Sequence, residues 1–123
     1  MFLAAFDDRV KIAVSSCGWT PFEYYETKQG RLKTWALPKY MPPLETLYKL
    51  DHRQFPFDFH EVAAAIAPRV FFSSSPTNDG VFPGWGPKAA ASHVKAFFKA
   101  HGAEKNFQFR SEERRVGKEC RSR

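Results

Sequence analysis

Much of what would place these 123 residues quickly is missing. Two cysteines, Cys17 and Cys120, are too few for a disulfide scaffold. Neither has a second Cys or a His near it at zinc-ligand spacing. No run of about 18 apolar residues occurs, which argues against a membrane span. The opening M-F-L-A-A-F-D-D-R has neither the basic start nor the small-residue cleavage site of a secretory leader. A strong field of one sign is lacking too, although the formal charge is +6. Six of the 19 Lys and Arg side chains and three of the 13 acidic ones fall in residues 110–123, so half of the excess sits in that short tail. The body keeps an ordinary surface balance. On these grounds no metal, cofactor, nucleic acid or membrane partner is expected, and the oligomeric state stays open.

What is present is organised around A-P-R-V-F-F-S-S-S-P-T-N-D-G-V-F, residues 67–82. The run from Arg69 to Ser75, built on Val70, Phe71 and Phe72, reads as a strand bounded by turn formers. Its continuous apolar character predicts burial on both faces. Thr77-Asn78-Asp79-Gly80 is turn chemistry and places Asp79 just past the carboxyl end of that strand. In open α/β sheets that rim is where ligands bind.

In chain order, residues 1–6 read as the end of a helix and V-K-I-A-V-S (10–15) as a strand closed by Ser16-Cys17-Gly18. Residues 19–57 carry Trp19, Trp35, several Phe and Tyr, and five prolines without a sustained period. This is an irregular aromatic excursion of lid or binding-loop character, with a short helix near Leu44 to Leu50. Asp58-Phe59-His60-Glu61 has capping-box spacing and opens a helix that ends before Pro68. Pro87 suits the first turn of a further helix reaching His101 and stopped by Gly102, with Ala90, Val94, Phe97 and Phe98 as its apolar face. A last strand begins at Phe107. Strands separated by helices imply a parallel sheet of 43% apolar chain, in one domain at most.

V-K-I-A-V-S-S-C-G-W-T-P-F, followed by F-P-F-D-F-H-E-V-A-A-A-I-A-P-R-V-F-F-S-S-S-P-T-N-D-G-V-F, resembles the C-terminal half of an α/β-hydrolase. The likeness is to the dienelactone-hydrolase and acetyl-xylan-esterase-like branch and covers residues 1–109. It implies the C-terminal half of a mostly parallel sheet with flanking helices and a lid-like insertion. It also implies a Ser nucleophile on a G-x-S-x-G elbow, then an acid after a later strand, then a His after the last strand. Here only the acid has a position, Asp79. No G-x-S-x-G occurs, and His52, His60, His93 and His101 all precede Phe107. The resemblance therefore implies an elbow just before Met1, a carboxylester hydrolase parent acting on small-molecule or carbohydrate esters, and a chain inactive by itself. Trp19 and Phe82 are the expected substrate-pocket residues. His60, His93 and His101 read as structural, and Cys17, with no identifiable base, as a small packing residue.

The tail R-S-E-E-R-R-V-G-K-E-C-R-S-R (110–123) resembles the conceptual translation of a sequencing adapter, and is expected to be an artefact without regular structure. Two other readings remain: a fragment of a prolyl-oligopeptidase-type serine peptidase, whose elements run in the same order, and a small basic nucleic-acid-binding or interaction protein. The compartment is open, since any leader would precede Met1; a secreted or periplasmic parent is compatible with the sequence.

Overall fold

The computed structural model describes residues 1–29, 31–77, 79, 81–82 and 84–112. Three strands, β1 (Ile12–Ser16), β2 (Val70–Pro76) and β3 (Phe107–Glu112), form a parallel sheet in that order. Ile12 pairs with Val70 and Ser16 with Ser74; Phe71 pairs with Phe107 and Pro76 with Glu112. Parallel neighbours need long crossovers. The first is the excursion, with α2 (Phe22–Gln29) and α3 (Pro43–Thr46), followed by α4 (Phe59–Ala64); the second is α5 (Trp85–Ala100). A short α1 (Phe2–Phe6) precedes β1.

Local chemistry explains most boundaries. The capping box at α4 is borne out: Asp58 caps the helix while its own N–H donates to Glu61 Oε2 at 2.6 Å. On α5, His101 closes the helix and Gly102 follows at φ +67°, a left-handed turn that suits glycine. α3 is one turn only, shorter than expected, and the chain after it turns through Lys49 and Leu50 at positive φ. The excursion also holds more regular structure than its sequence suggests, since α2 runs for eight residues in F-E-Y-Y-E-T-K-Q. That segment has no apolar stripe. Its place is held instead from Phe22, buried edge-on against Phe55 at 5.1 Å and tilted against Phe59 at 4.8 Å.

The core lies on one side of the sheet. Phe71 and Phe107 stack at 6.0 Å, and Phe98 of α5 closes on Phe107 at 5.5 Å. Trp19, Phe22, Phe59, Ile66, Val94 and Leu32 complete this cluster. Ala90, Val94 and Phe98 are buried as the helical spacing predicts, whereas Phe97 is 45% exposed and rests beside His93. The expectation that β2 is buried on both faces is corrected. Phe71, Ser73 and Ser75 are buried, but Val70, Phe72 and Ser74, on the opposite face, are half-buried, and the adjoining Ile12 and Val14 of β1 are 65% and 67% exposed. Among the described residues, no helix covers that second face. β3 also runs three residues beyond the boundary expected at 109: Arg110, Ser111 and Glu112 pair with the end of β2. The rest of the tail, 113–123, lies outside the described residues.

Candidate functional site

β2 delivers the chain to the carboxyl rim of the sheet, and there the next residues turn back. Asp79 is half-buried, and its Oδ1 accepts the N–H groups of Val81 at 2.7 Å and Phe82 at 3.0 Å. This turn, closed by the Asp side chain, fixes the carboxylate with groups of its own loop. The neck of the loop is pinched: a Cβ on Gly84 would collide with the Pro76 carbonyl oxygen. Only glycine allows the two ends of the loop to approach so closely. Asn78, Gly80 and Pro83, which belong to the expected turn and its neck, lie outside the described residues.

The two aromatic residues expected to bind substrate are placed differently. Phe82 is half-buried beside Tyr25 at 5.9 Å and Trp35 at 6.3 Å, and Trp35 in turn meets Tyr40 at 5.7 Å. Phe82 thus joins an aromatic group contributed by the excursion, next to the Asp79 turn. Trp19 is completely buried, and its indole N–H donates to Ser73 Oγ of β2 at 3.0 Å. In this chain it fills the core beneath the rim. Trp35 reads from the sequence as pocket or packing alike, and Tyr25 and Tyr40 were not singled out, because nothing in a proline-broken aromatic stretch tells wall from packing.

The neighbouring loop, after β1, bears no carboxylate. Cys17 sits there in left-handed geometry at φ +58°, with its N–H given to the Ser74 carbonyl at 2.9 Å and its Sγ 3.8 Å from Ser16 Oγ. None of the four histidines is joined to Asp79 or Cys17 by a described contact. His101 Nδ1 lies 2.8 Å from the Phe97 carbonyl at the end of α5, in keeping with a structural role.

His60 and His93 meet each other instead, edge to face at 5.0 Å, across the α4–α5 contact. They line an open cavity of about 210 Å³ with Asp58, Glu23 and Tyr24. Asp58 accepts the Phe22 N–H at 3.0 Å, so one carboxylate both caps α4 and ties it to the first turn of α2. His60 Nδ1 is 3.7 Å from Asp58 Oδ2, too far for a hydrogen bond. Among the described residues, no group of three His, Cys, Asp or Glu is placed to hold a metal ion.

Burial pushes the Asp58 carboxyl above its ordinary value, against the opposing pull of the Phe22 and Phe59 N–H groups and of His60. A carboxyl whose folded value is raised holds its proton more tightly in the native state. Its contribution to stability is therefore full below the unfolded value, about 3.9, and declines as the pH rises through the raised one. Asp58→Asn keeps an acceptor for Phe22 without the charge. Its urea midpoint relative to wild type should climb as the pH rises from the ordinary carboxylate value, about 3.9, through the raised one. Asp58→Ala strands the N–H groups and should cost about 1–3 kcal/mol across that range. An Asn variant whose gap from wild type is flat with pH would show that Asp58 does not titrate abnormally.

This arrangement, a parallel sheet flanked by helices with a fixed carboxylate at the carboxyl rim after a central strand, is part of an α/β-hydrolase fold. Two solved structures carry the same architecture. One is a carbohydrate esterase family 15 (CE15) glucuronoyl esterase from Caldicellulosiruptor kristjansonii, at TM-score 0.66 and 19% identity, over 89% of this chain and 33% of that one. The other is a promiscuous CE15 esterase from the marine bacterial metagenome, at TM-score 0.70 and 18% identity, over 91% and 34%. The chain thus spans about a third of the length of these structures. No family model matches it, and no curated protein matches it in sequence.

Proposed function

We propose that this chain is part of a serine carboxylester hydrolase that cleaves carbohydrate or small acyl esters, with Asp79 as the acid of its catalytic triad. The observation that carries the reading is the Asp79 carboxylate, locked by Val81 and Phe82 at the carboxyl rim of β2. That is where a hydrolase needs an acid to orient an imidazole and to stabilise it once protonated. The nucleophile and the histidine belong to segments outside these 123 residues. Among the described residues no strand lies on the outer side of β1, and α1 starts beside it, so a strand ending in a nucleophile elbow before Met1 would set its Ser on the same rim. Phe82 and its aromatic neighbours would form one wall of the substrate pocket. The D-F-H-E wording favours a dienelactone-hydrolase or acetyl-xylan-esterase-like branch, whereas one structural neighbour is a glucuronoyl esterase and the other a promiscuous esterase of the same carbohydrate esterase family.

The chemistry would run by acylation of the Ser and release of an alcohol, then hydrolysis of the acyl-enzyme. The 123-residue chain should give no turnover of p-nitrophenyl acetate above background. The reading frame that flanks it in the source DNA should encode a G-x-S-x-G upstream and a His downstream, and its product should hydrolyse the ester. Turnover by the short chain that survives Asp79→Ala, or flanking sequence without either motif, would end this reading.

A further inference from the structure

We propose that His60 and His93 form a two-imidazole site for a late first-row divalent metal ion, Zn²⁺ or its neighbours, at the cavity between α2, α4 and α5. Among the described residues, the lining comes from these helices and the residues that open them, with nothing from α1, β1 or β3. It shares no residue with the Asp79 turn or with the aromatic group around Phe82. The inference therefore goes beyond the esterase reading and does not rest on it. The two histidines lie on different helices, so no local spacing in the sequence announces them.

The packing of α4 on α5 holds the two rings 5.0 Å apart with their planes at 82°. A zinc–nitrogen bond of about 2.0–2.1 Å sets the ion roughly 3.1 Å from the centre of each ring, so two imidazoles at a tetrahedral angle have centres about 5 Å apart. The pair thus stands at ligating separation without movement of either helix. His60 Nδ1 is buried without a hydrogen-bond partner and faces Asp58 Oδ2 at 3.7 Å. With Nδ1 enclosed, the 26% of the side chain that stays exposed is on the far side of the ring, where Nε2 is. Coordination at Nε2 makes Nδ1–H a stronger donor and draws it onto Asp58, which gives that buried nitrogen its partner. His93 is exposed, and a helical side chain leans back over the residues three and four before it. Here those are Ala90 and Ala89, which leave the space in front of the ring open.

The donor set selects the ion. Imidazole nitrogen suits Zn²⁺, Ni²⁺ and Cu²⁺, whereas Mg²⁺ and Ca²⁺ take oxygen ligands. Asp58 and Glu23 line the cavity and no Lys or Arg is among its described lining, so the local charge suits a cation. The volume of about 210 Å³ has room for the ion and for the waters that complete its coordination. Asp58 acts here on the far nitrogen of His60 and is not itself a ligand, in the carboxylate–histidine–metal order common around such ions.

Calorimetric titration of ZnCl₂ into the full 123-residue chain should show a single bound ion, and MgCl₂ none. His93→Ala, at an exposed position, should weaken zinc binding by about tenfold or more while the urea midpoint without zinc stays near wild type. Zinc should raise the urea midpoint of the wild-type chain and leave that of His93→Ala unmoved, an effect that mere ring packing would not give. In ring-proton NMR spectra the His60 and His93 signals should shift with zinc, and those of His52 and His101 should not. Asp58→Asn keeps an acceptor but loses the charge behind His60, and should weaken zinc by about tenfold. The thiols are controlled by Cys17→Ser with Cys120→Ser, which should bind as wild type does. A chain that takes no zinc, or takes magnesium equally well, overturns the proposal. So does zinc binding that survives His93→Ala or disappears with the two cysteines; the two rings would then only pack.

Discussion

In a hydrolase that contains this chain together with its nucleophile and histidine, Asp79→Asn should lower kcat about 10³–10⁴-fold and leave the urea midpoint near wild type. The two halves of that expectation have separate causes. The turn after β2 is closed by Oδ1 of Asp79, which accepts from Val81 and Phe82. An Asn carbonyl can accept from the same two N–H groups, so the loop keeps its shape. What the amide cannot do is carry the negative charge that holds an imidazole in the productive tautomer and stabilises the imidazolium formed during acylation. In the proposed role the carboxylate would touch the base rather than the ester, so the effect belongs in kcat, with KM little changed. Asp79→Ala removes the turn as well, so it should lose activity and lower the midpoint together. An Asn variant within tenfold of wild type would show that a different residue serves as the acid, and that Asp79 is a turn former only.

Those parts of the fold governed by local chemistry could be read from the sequence. The capping box at Asp58 and Glu61, the Pro87 and Gly102 bounds of α5, and the strand leading to Asp79 each depend on residues within a few positions of one another. What escaped depends on partners far along the chain. F-E-Y-Y-E-T-K-Q has no apolar period, yet it is helical because Phe22 inserts among Phe55, Phe57 and Phe59, and because Asp58 accepts its first N–H. V-F-F suggested a strand enclosed by two layers, but burial on the second face needs a layer that the described residues do not supply. Asp79 could be located because strand, turn formers and carboxylate are adjacent in sequence. The aromatic group around Phe82 could not, because Tyr25, Trp35 and Tyr40 reach it from separate parts of the excursion.

Trp19 gives the largest expected loss of stability. Trp19→Ala should cost about 3–5 kcal/mol, a large share of the 5–15 kcal/mol that holds a typical domain together. The side chain is fully enclosed and among the largest that are, so its deletion leaves a cavity between the loop after β1 and the inner face of β2. The surrounding Phe22 and Phe71 belong to both the excursion and the sheet, so they have little freedom to collapse into that space. The hydrogen bond adds a second contribution. Trp19 Nε1 donates to Ser73 Oγ at 3.0 Å, and Ser73 is itself wholly buried. Trp19→Phe keeps most of the ring volume but removes this donor, and should cost about 1–3 kcal/mol. A double-mutant cycle with Ser73→Ala separates the two effects, with a coupling energy of about 0.5–1.5 kcal/mol expected for the pair. If Trp19→Ala instead lowered stability by less than about 1 kcal/mol, a packing role would be excluded. The indole would then have to be a solvent-reachable ring, free to stack on a substrate.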